Sequence, residues 1–129
     1  MSVNYTVRKV GEVTVLDLDG RISRGDAQAF GPDGGRGLHP VVRDIVEKGS
    51  RKVLFNLRHV TYVDSFGLGE LVACMTTLHN HEGEFRVCNA TARVAELLRM
   101  THLSAVLHCE EDEVTGLKSF LESARMTAA

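Results

Sequence analysis

At residues 63–70 the chain reads Val63-Asp64-Ser65-Phe66-Gly67-Leu68-Gly69-Glu70. A mostly apolar segment at residues 53–57 precedes this stretch, as is typical of a strand covered on both faces. After it, apolar residues recur at helical spacing from Leu68 to Leu78. The stretch is therefore predicted to be a strand-to-helix turn, in which Asp64 or Ser65 caps the first backbone N–H groups of the helix.

Outside this turn, strand patterns and helix patterns alternate along the chain. Runs rich in β-branched residues at 5–10 and 13–18 predict a β-hairpin, with Leu16 and Leu18 facing the core and Val13 and Val15 on the other side. Helical spacing follows at residues 40–48, 68–80, 91–100 and 112–121, with further strands at 52–56, 84–88 and 106–108. The last helix carries an apolar stripe of four residues: Val114, Leu117, Phe120 and Leu121.

The element order predicts an α/β fold in a single domain. The order β-β-α-β-α-β-α-β-α favours a mostly parallel sheet of four to five strands in sequence order, with an antiparallel N-terminal edge strand and about four helices. We expect the domain at residues 1–125 and a flexible tail at 126–129. Several glycines between residues 23 and 37 predict a Gly-rich loop, interpreted as a flexible insertion because it lacks a phosphate-binding GxxxxGK[ST] pattern.

The composition excludes several classes of function. Lys and Arg number 15 against 17 Asp and Glu, so the formal net charge of -2 indicates no basic face for nucleic acid. No apolar run approaches the length of a membrane span, which is about 18 residues, and no signal peptide is apparent. We therefore expect a cytoplasmic location and no membrane partner.

The cysteines and histidines do not predict a metal site. Cys74, Cys88 and Cys109 lack the spacing of paired ligands and are interpreted as buried small hydrophobic residues. His79 and His81 lie two residues apart, on different faces of a helix, and are interpreted as a polar helix end. No metal and no cofactor are expected.

The Asp-Ser turn allows several kinds of chemistry. On residue chemistry alone, a plain capping turn with tolerated glycines is favoured. A serine nucleophile is disfavoured because Val63 replaces the first glycine of the G-x-S-x-G elbow, and Asp64 would oppose a bound anion. A regulatory phosphoserine at Ser65 fits the positive end of the helix best among the functional alternatives. Gly67 and Gly69 carry no side chain, so a partner or a phosphate could approach the first turn closely.

The turn also carries a family resemblance. Asn56-Leu57 and residues 63–69 resemble the signature of STAS domains, especially bacterial anti-sigma factor antagonists, which show an Asp-Ser-Ser/Thr-Gly-Leu/Ile-Gly turn after the third strand. The resemblance covers nearly the whole chain, including the turn at residues 20–23, the turn at Gly83 and the helix at 93–103. It implies a STAS-like fold. Two departures are Phe66, in place of a small hydroxyl residue, and the Gly-rich loop.

The resemblance implies roles for individual residues and partners. Ser65 matches the phosphoacceptor, and Asp64, Gly67 and Gly69 match the recognition turn around it. Phe66 either packs inward or becomes a partner contact. The implied partners are an anti-sigma factor with serine kinase activity, which supplies the ATP, and a phosphoserine phosphatase.

Two hypotheses follow for the whole protein. The leading one is a non-enzymatic interaction module that binds the kinase when Ser65 is unphosphorylated and releases it when Ser65 is phosphorylated. The alternative is a STAS scaffold or ligand-sensing module of a transport or stress-signalling complex. In that case Phe66 and the Gly-rich loop form the contact surface and Ser65 is not a switch.

Overall fold

The computed structural model describes residues 4–23 and 38–128, with side chains up to residue 121. The predicted Gly-rich loop therefore lies outside the described residues, apart from Ser23. The elements are β1 (Asn4–Val10), β2 (Val13–Ile22), α1 (His39–Glu47), β3 (Lys52–Val63), α2 (Ser65–Asn80), β4 (Glu84–Cys88), α3 (Ala92–Met100), β5 (Cys109–Glu110) and α4 (Glu113–Ala128). The final helix thus continues past residue 125, into the segment predicted as a tail.

The described strands form one sheet in the order β1-β2-β3-β4-β5. β1 pairs with β2 antiparallel, and every other neighbouring pair is parallel. This arrangement confirms the predicted α/β fold class, its element order and its antiparallel edge strand. It also brings the carboxyl end of β3, where the Asp-Ser turn begins, next to the end of β2.

β2 and β3 are longer than the sequence predicts. The patterns in the sequence end these two strands at residues 18 and 56. Instead both strands continue to a last pair, Ile22 with Val63. The register between the two strands shifts twice before that pair. Gly20 accommodates the irregularity with a φ of +109°, a backbone conformation that glycine adopts without steric cost. The turn therefore follows directly from a paired strand.

The last strand also differs from its predicted position. It lies at Cys109–Glu110 and not at residues 106–108. The chain before it coils in successive turns, in which the Leu107 N–H donates to the Leu103 carbonyl and the Cys109 N–H to the Ser104 carbonyl. The N–H groups of residues 107 and 109 are thus used within this segment, and its link to β4 is the His108 carbonyl, which accepts from the Val87 N–H at 3.3 Å just before the strand begins.

Apolar side chains are buried on both faces of the sheet. Leu16 and Leu18 belong to the larger core cluster, as predicted, with α1, α2 and α3. Val13 and Val15, predicted for the other side, are buried too, in a second cluster with Phe120 of α4. The sheet is therefore covered on both sides.

The buried face of α4 is not the predicted stripe. Phe120 is buried and Leu117 partly so, but Val114 and Leu121 are 61% and 62% exposed. A Cβ at Gly116 would lie 3.1 Å from Leu54 Cδ1. The helix thus packs through Gly116 and Phe120, one turn apart, because the small glycine lets it approach the sheet.

A charged cluster ties β1 to β2 and α4. The Arg8 guanidinium donates to both carboxylate oxygens of Asp17, at 2.5 and 2.9 Å, and also pairs with Glu113. The Asn56 amide donates to Asp17 Oδ1 at 2.8 Å. Arg8 is the main cause that lowers the pKa of the Asp17 carboxyl.

This cluster predicts an acid-sensitive contribution to stability. Because the folded-state pKa of Asp17 lies below its ordinary value of about 3.9, the contribution is present above that pH and is lost as the pH falls through the folded-state pKa. Both side chains are about one-third exposed, so we expect Arg8→Met to lower the free energy of unfolding by about 1 kcal/mol at pH 7. Urea unfolding should show a smaller deficit at pH 3, and an equal deficit at both pH values would contradict this account.

Candidate functional site

Asp64, and not Ser65, caps α2. Asp64 has an extended backbone, and its Oδ1 accepts from the Gly67 N–H at 2.9 Å. Its carbonyl also accepts from the Leu68 N–H at 2.9 Å. This geometry decides between the two capping candidates of the sequence. Ser65 is the first helical residue and is exposed, so its hydroxyl is not needed for the cap.

The turn is anchored to the end of β2. The Asp64 N–H donates to the Ile22 carbonyl at 3.4 Å, next to the last strand pair, Ile22 with Val63. Gly67 is buried against the same carbonyl, since a Cβ at Gly67 would lie only 2.1 Å from the Ile22 oxygen. Strand pairing and close packing therefore hold the backbone beneath Ser65.

The structure separates the five predicted site residues by exposure. Ser65 and Gly69 are exposed, Asp64 and Phe66 are half-buried, and Gly67 is buried. A Cβ at Gly69 would meet nothing within 4 Å. The two glycines, treated alike in the sequence, thus differ: Gly69 leaves open space at the surface, whereas Gly67 allows the helix to pack on β2.

A groove of about 520 Å³ lies beside Ser65, between the start of α2 and α3. Its lining residues are Tyr62, Val63, Asp64, Ser65, Leu68, Arg93, Val94, Glu96, Leu97 and Met100. Thr91 caps α3, with its hydroxyl accepting from the Val94 N–H at 3.4 Å. The floor is mostly apolar, and Met100 is 65% exposed.

The site residues predicted from the sequence do not include the α3 side of this groove. The available signal is that Leu97, Leu98 and Met100 together are too many apolar residues for one buried face of a short helix. Leu98 fills the core, whereas Leu97 is only half-buried and Met100 faces outward. Apolar surface of Leu97 and Met100 therefore lies beside the exposed Ser65.

The groove lacks the parts of a hydrolase. No histidine is among its lining residues. Of its two carboxylates, Asp64 is engaged in the cap, and Glu96 accepts from Arg99 Nε at 3.1 Å. A serine hydroxyl needs an adjacent base to act as a nucleophile, and none is available among these residues.

The thiols and histidines show no alternative centre within residues 4–23 and 38–128. No group of three or more His, Cys, Asp or Glu side chains there could hold a metal ion. Cys74 and Cys88 are buried, and Cys109 is partly buried. Burial raises the pKa of the Cys88 thiol to about 12 and that of Cys109 to about 11, so both are neutral near pH 7. None of the helices in these ranges could span a membrane.

Removing the cap should loosen the first turn of α2. We expect Asp64→Ala to lower the free energy of unfolding by about 1 kcal/mol, because the Gly67 N–H loses its acceptor. Chemical denaturation measures this, and Asp64→Ser, which retains a capping oxygen, serves as the control. An unchanged midpoint in Asp64→Ala would show that the cap does not hold the turn.

Comparison with known proteins agrees with this fold. The family model described as STAS domain matches residues 4–116. The anti-sigma-B factor antagonist of Staphylococcus aureus (strain NCTC 8325 / PS 47) is 30% identical over 74 residues, which cover 57% of this chain and 68% of that protein.

Two solved structures share the fold. An anti-sigma factor antagonist from Mycobacterium paratuberculosis superposes with a TM-score of 0.74 at 21% identity, covering 92% of this chain and 93% of that chain. The Bacillus cell fate determinant SpoIIAA in its phosphorylated form gives a TM-score of 0.62 at 14% identity, covering 85% of this chain and 92% of that one. With a family match that extends over most of the chain, from β1 into α4, the protein belongs to the STAS domain family.

Proposed function

We propose that the protein is an anti-sigma factor antagonist switched by phosphorylation of Ser65. In this proposal it binds an anti-sigma factor with serine kinase activity while Ser65 is unphosphorylated, and it releases that partner after phosphorylation. A phosphoserine phosphatase restores the binding form. The protein itself is not an enzyme, and it acts in the cytoplasm, where sigma factors and their regulators meet.

The observation that carries this proposal is that the residues of the turn have separate roles. Asp64 caps α2 and Gly67 packs against β2. The exposed Ser65 hydroxyl is therefore needed for neither the cap nor the packing. An acceptor serine must be reached by a kinase without unfolding the domain, and this one lies on a backbone fixed by β2. The name of the Staphylococcus aureus relative supports the choice of an anti-sigma factor as the partner.

Phosphorylation at this position is compatible with the fold. A phosphate adds about -1.5 to -2 charges at the first residue of α2, where the helix dipole favours negative charge. The surface beside the groove changes, while the core below it does not. A switch in binding without refolding follows from this placement.

The test is phosphorylation in vitro. Purified protein is incubated with ATP and the candidate anti-sigma kinases of the same organism, and the modified residue is mapped by mass spectrometry. We expect a single phosphate on Ser65, and none in Ser65→Ala. A phosphate on another residue, or a partner that binds equally well before and after modification, would refute the switch and support the scaffold alternative.

A further inference from the structure

Arg93 and Ser65 line the same groove from two different helices. Ser65 is the first residue of α2, and Arg93 lies in the first turn of α3; both are exposed. We propose that Arg93 binds the phosphate group on Ser65, so that phosphorylation creates an ion pair across the groove. The inference rests on the proposed function, because it takes Ser65 as the phosphoacceptor.

The charges that line the groove favour Arg93 for this role. They are Asp64, Arg93 and Glu96. Asp64 is used in the cap, and Glu96 forms an ion pair with Arg99, one turn further along α3. Arg93 has no hydrogen bond or ion pair with any other residue that the structure describes. It is therefore the one cation among the lining residues, and its guanidinium is uncommitted.

The position of Arg93 does not stabilise its own helix, α3. A cation in the first turn of a helix opposes the helix dipole, and the first turn of α3 contains no acidic residue to offset it. An anion brought to the groove would remove this disadvantage. Arg93 is thus better explained by a ligand than by the stability of α3.

A phosphate on Ser65 is an anion of the right kind. It would lie next to the Asp64 carboxylate, so its charge of about -1.5 to -2 needs a cation nearby. The planar guanidinium presents several N–H donors, which can bind two phosphate oxygens at once. Arg93 reaching toward Ser65 would also lie over the apolar floor around Leu68 and Leu97. The partner would then lose both the free hydroxyl and part of the apolar surface.

The second ionisation of the phosphoserine reports this contact. Phosphoserine is installed at position 65 by genetic encoding, and its phosphorus-31 chemical shift is followed as a function of pH. An ordinary phosphoserine has a second pKa of about 6, and an adjacent guanidinium lowers it by favouring the dianion. We expect Arg93→Gln to raise this pKa by roughly 0.5 unit or more, and Arg93→Lys to raise it less.

The matched control is Arg58→Gln, which removes an exposed cation of β3 that does not line the groove. We expect its titration curve to coincide with that of the unsubstituted phosphoprotein. Coincidence of the Arg93→Gln curve with the unsubstituted one, or an equal rise in both variants, would overturn the proposal. Because translation supplies the phosphate, the result does not depend on a kinase. Failure of the proposed function would appear only in the phosphorylation assay.

Discussion

Ser65→Asp is expected to weaken binding to the cognate anti-sigma factor by about a hundredfold or more, which corresponds to about 2.7 kcal/mol. Ser65 is exposed at the rim of the apolar groove, so a partner that docks there covers this position. Taking a carboxylate out of water at the interface costs several kcal/mol, and an ion pair with Arg93 would offset this cost only in part, so the predicted loss is within reach. Titration calorimetry with the purified anti-sigma factor measures the change.

Two control variants separate this effect from a loss of structure. Ser65→Ala keeps the position small and neutral, so we expect its affinity to stay within about threefold of the unsubstituted protein, about 0.7 kcal/mol. Thr76→Asp adds the same charge to an exposed position of α2 outside the groove and should bind normally. Equal binding by Ser65→Asp and Ser65→Ala would favour the scaffold alternative, in which Ser65 is not a switch.

Features that depend on neighbouring residues could be predicted from the sequence. The spacing of apolar residues predicts α1 and α2, and a glycine, Gly49, directly follows the predicted helix at residues 40–48. It has a φ of +104°, its N–H donates to the Val46 carbonyl and the next N–H to Ile45. Thr91, a residue type favoured as an N-cap, likewise stands at the start of the predicted helix at residues 91–100. Such signals lie within a few residues of the feature that they specify, so one sequence contains them in full.

Features that depend on distant segments could not be predicted in this way. The length of β3 depends on its pairing with β2, and the buried face of α4 depends on the fit of Gly116 against Leu54. Arg93 follows Ser65 by 28 positions in the sequence. It lines the groove only because β3 and β4 are parallel neighbours in the sheet. This places α3, which follows β4, beside the start of α2, which follows β3. The sequence therefore indicated one side of the site, the turn at Ser65, but not the other.

The two glycines of the turn give the second large prediction, because they look equivalent in the sequence and differ in the structure. A Cβ added at Gly67 would lie 2.1 Å from the Ile22 carbonyl oxygen and 2.9 Å from Val63 Cγ1. Neither neighbour can move easily, since Ile22 and Val63 are paired strand residues. The start of α2 must therefore shift away from β2, which also disturbs the Asp64 cap. We expect Gly67→Ala to lower the free energy of unfolding by about 3 kcal/mol.

Gly69→Ala is the matched control, with the same substitution in the same helix two residues further on. Its Cβ would meet nothing within 4 Å, so the higher helix propensity of alanine should stabilise the protein by up to about 1 kcal/mol. Thermal unfolding should then show Gly67→Ala melting about 10 °C lower and Gly69→Ala at or a few degrees above the original temperature. Equal melting temperatures for the two variants would contradict the packing role of Gly67. Destabilisation of Gly67→Ala alone would show that the turn that exposes Ser65 depends on the packing of Gly67. That role requires no contact between Gly67 and a partner.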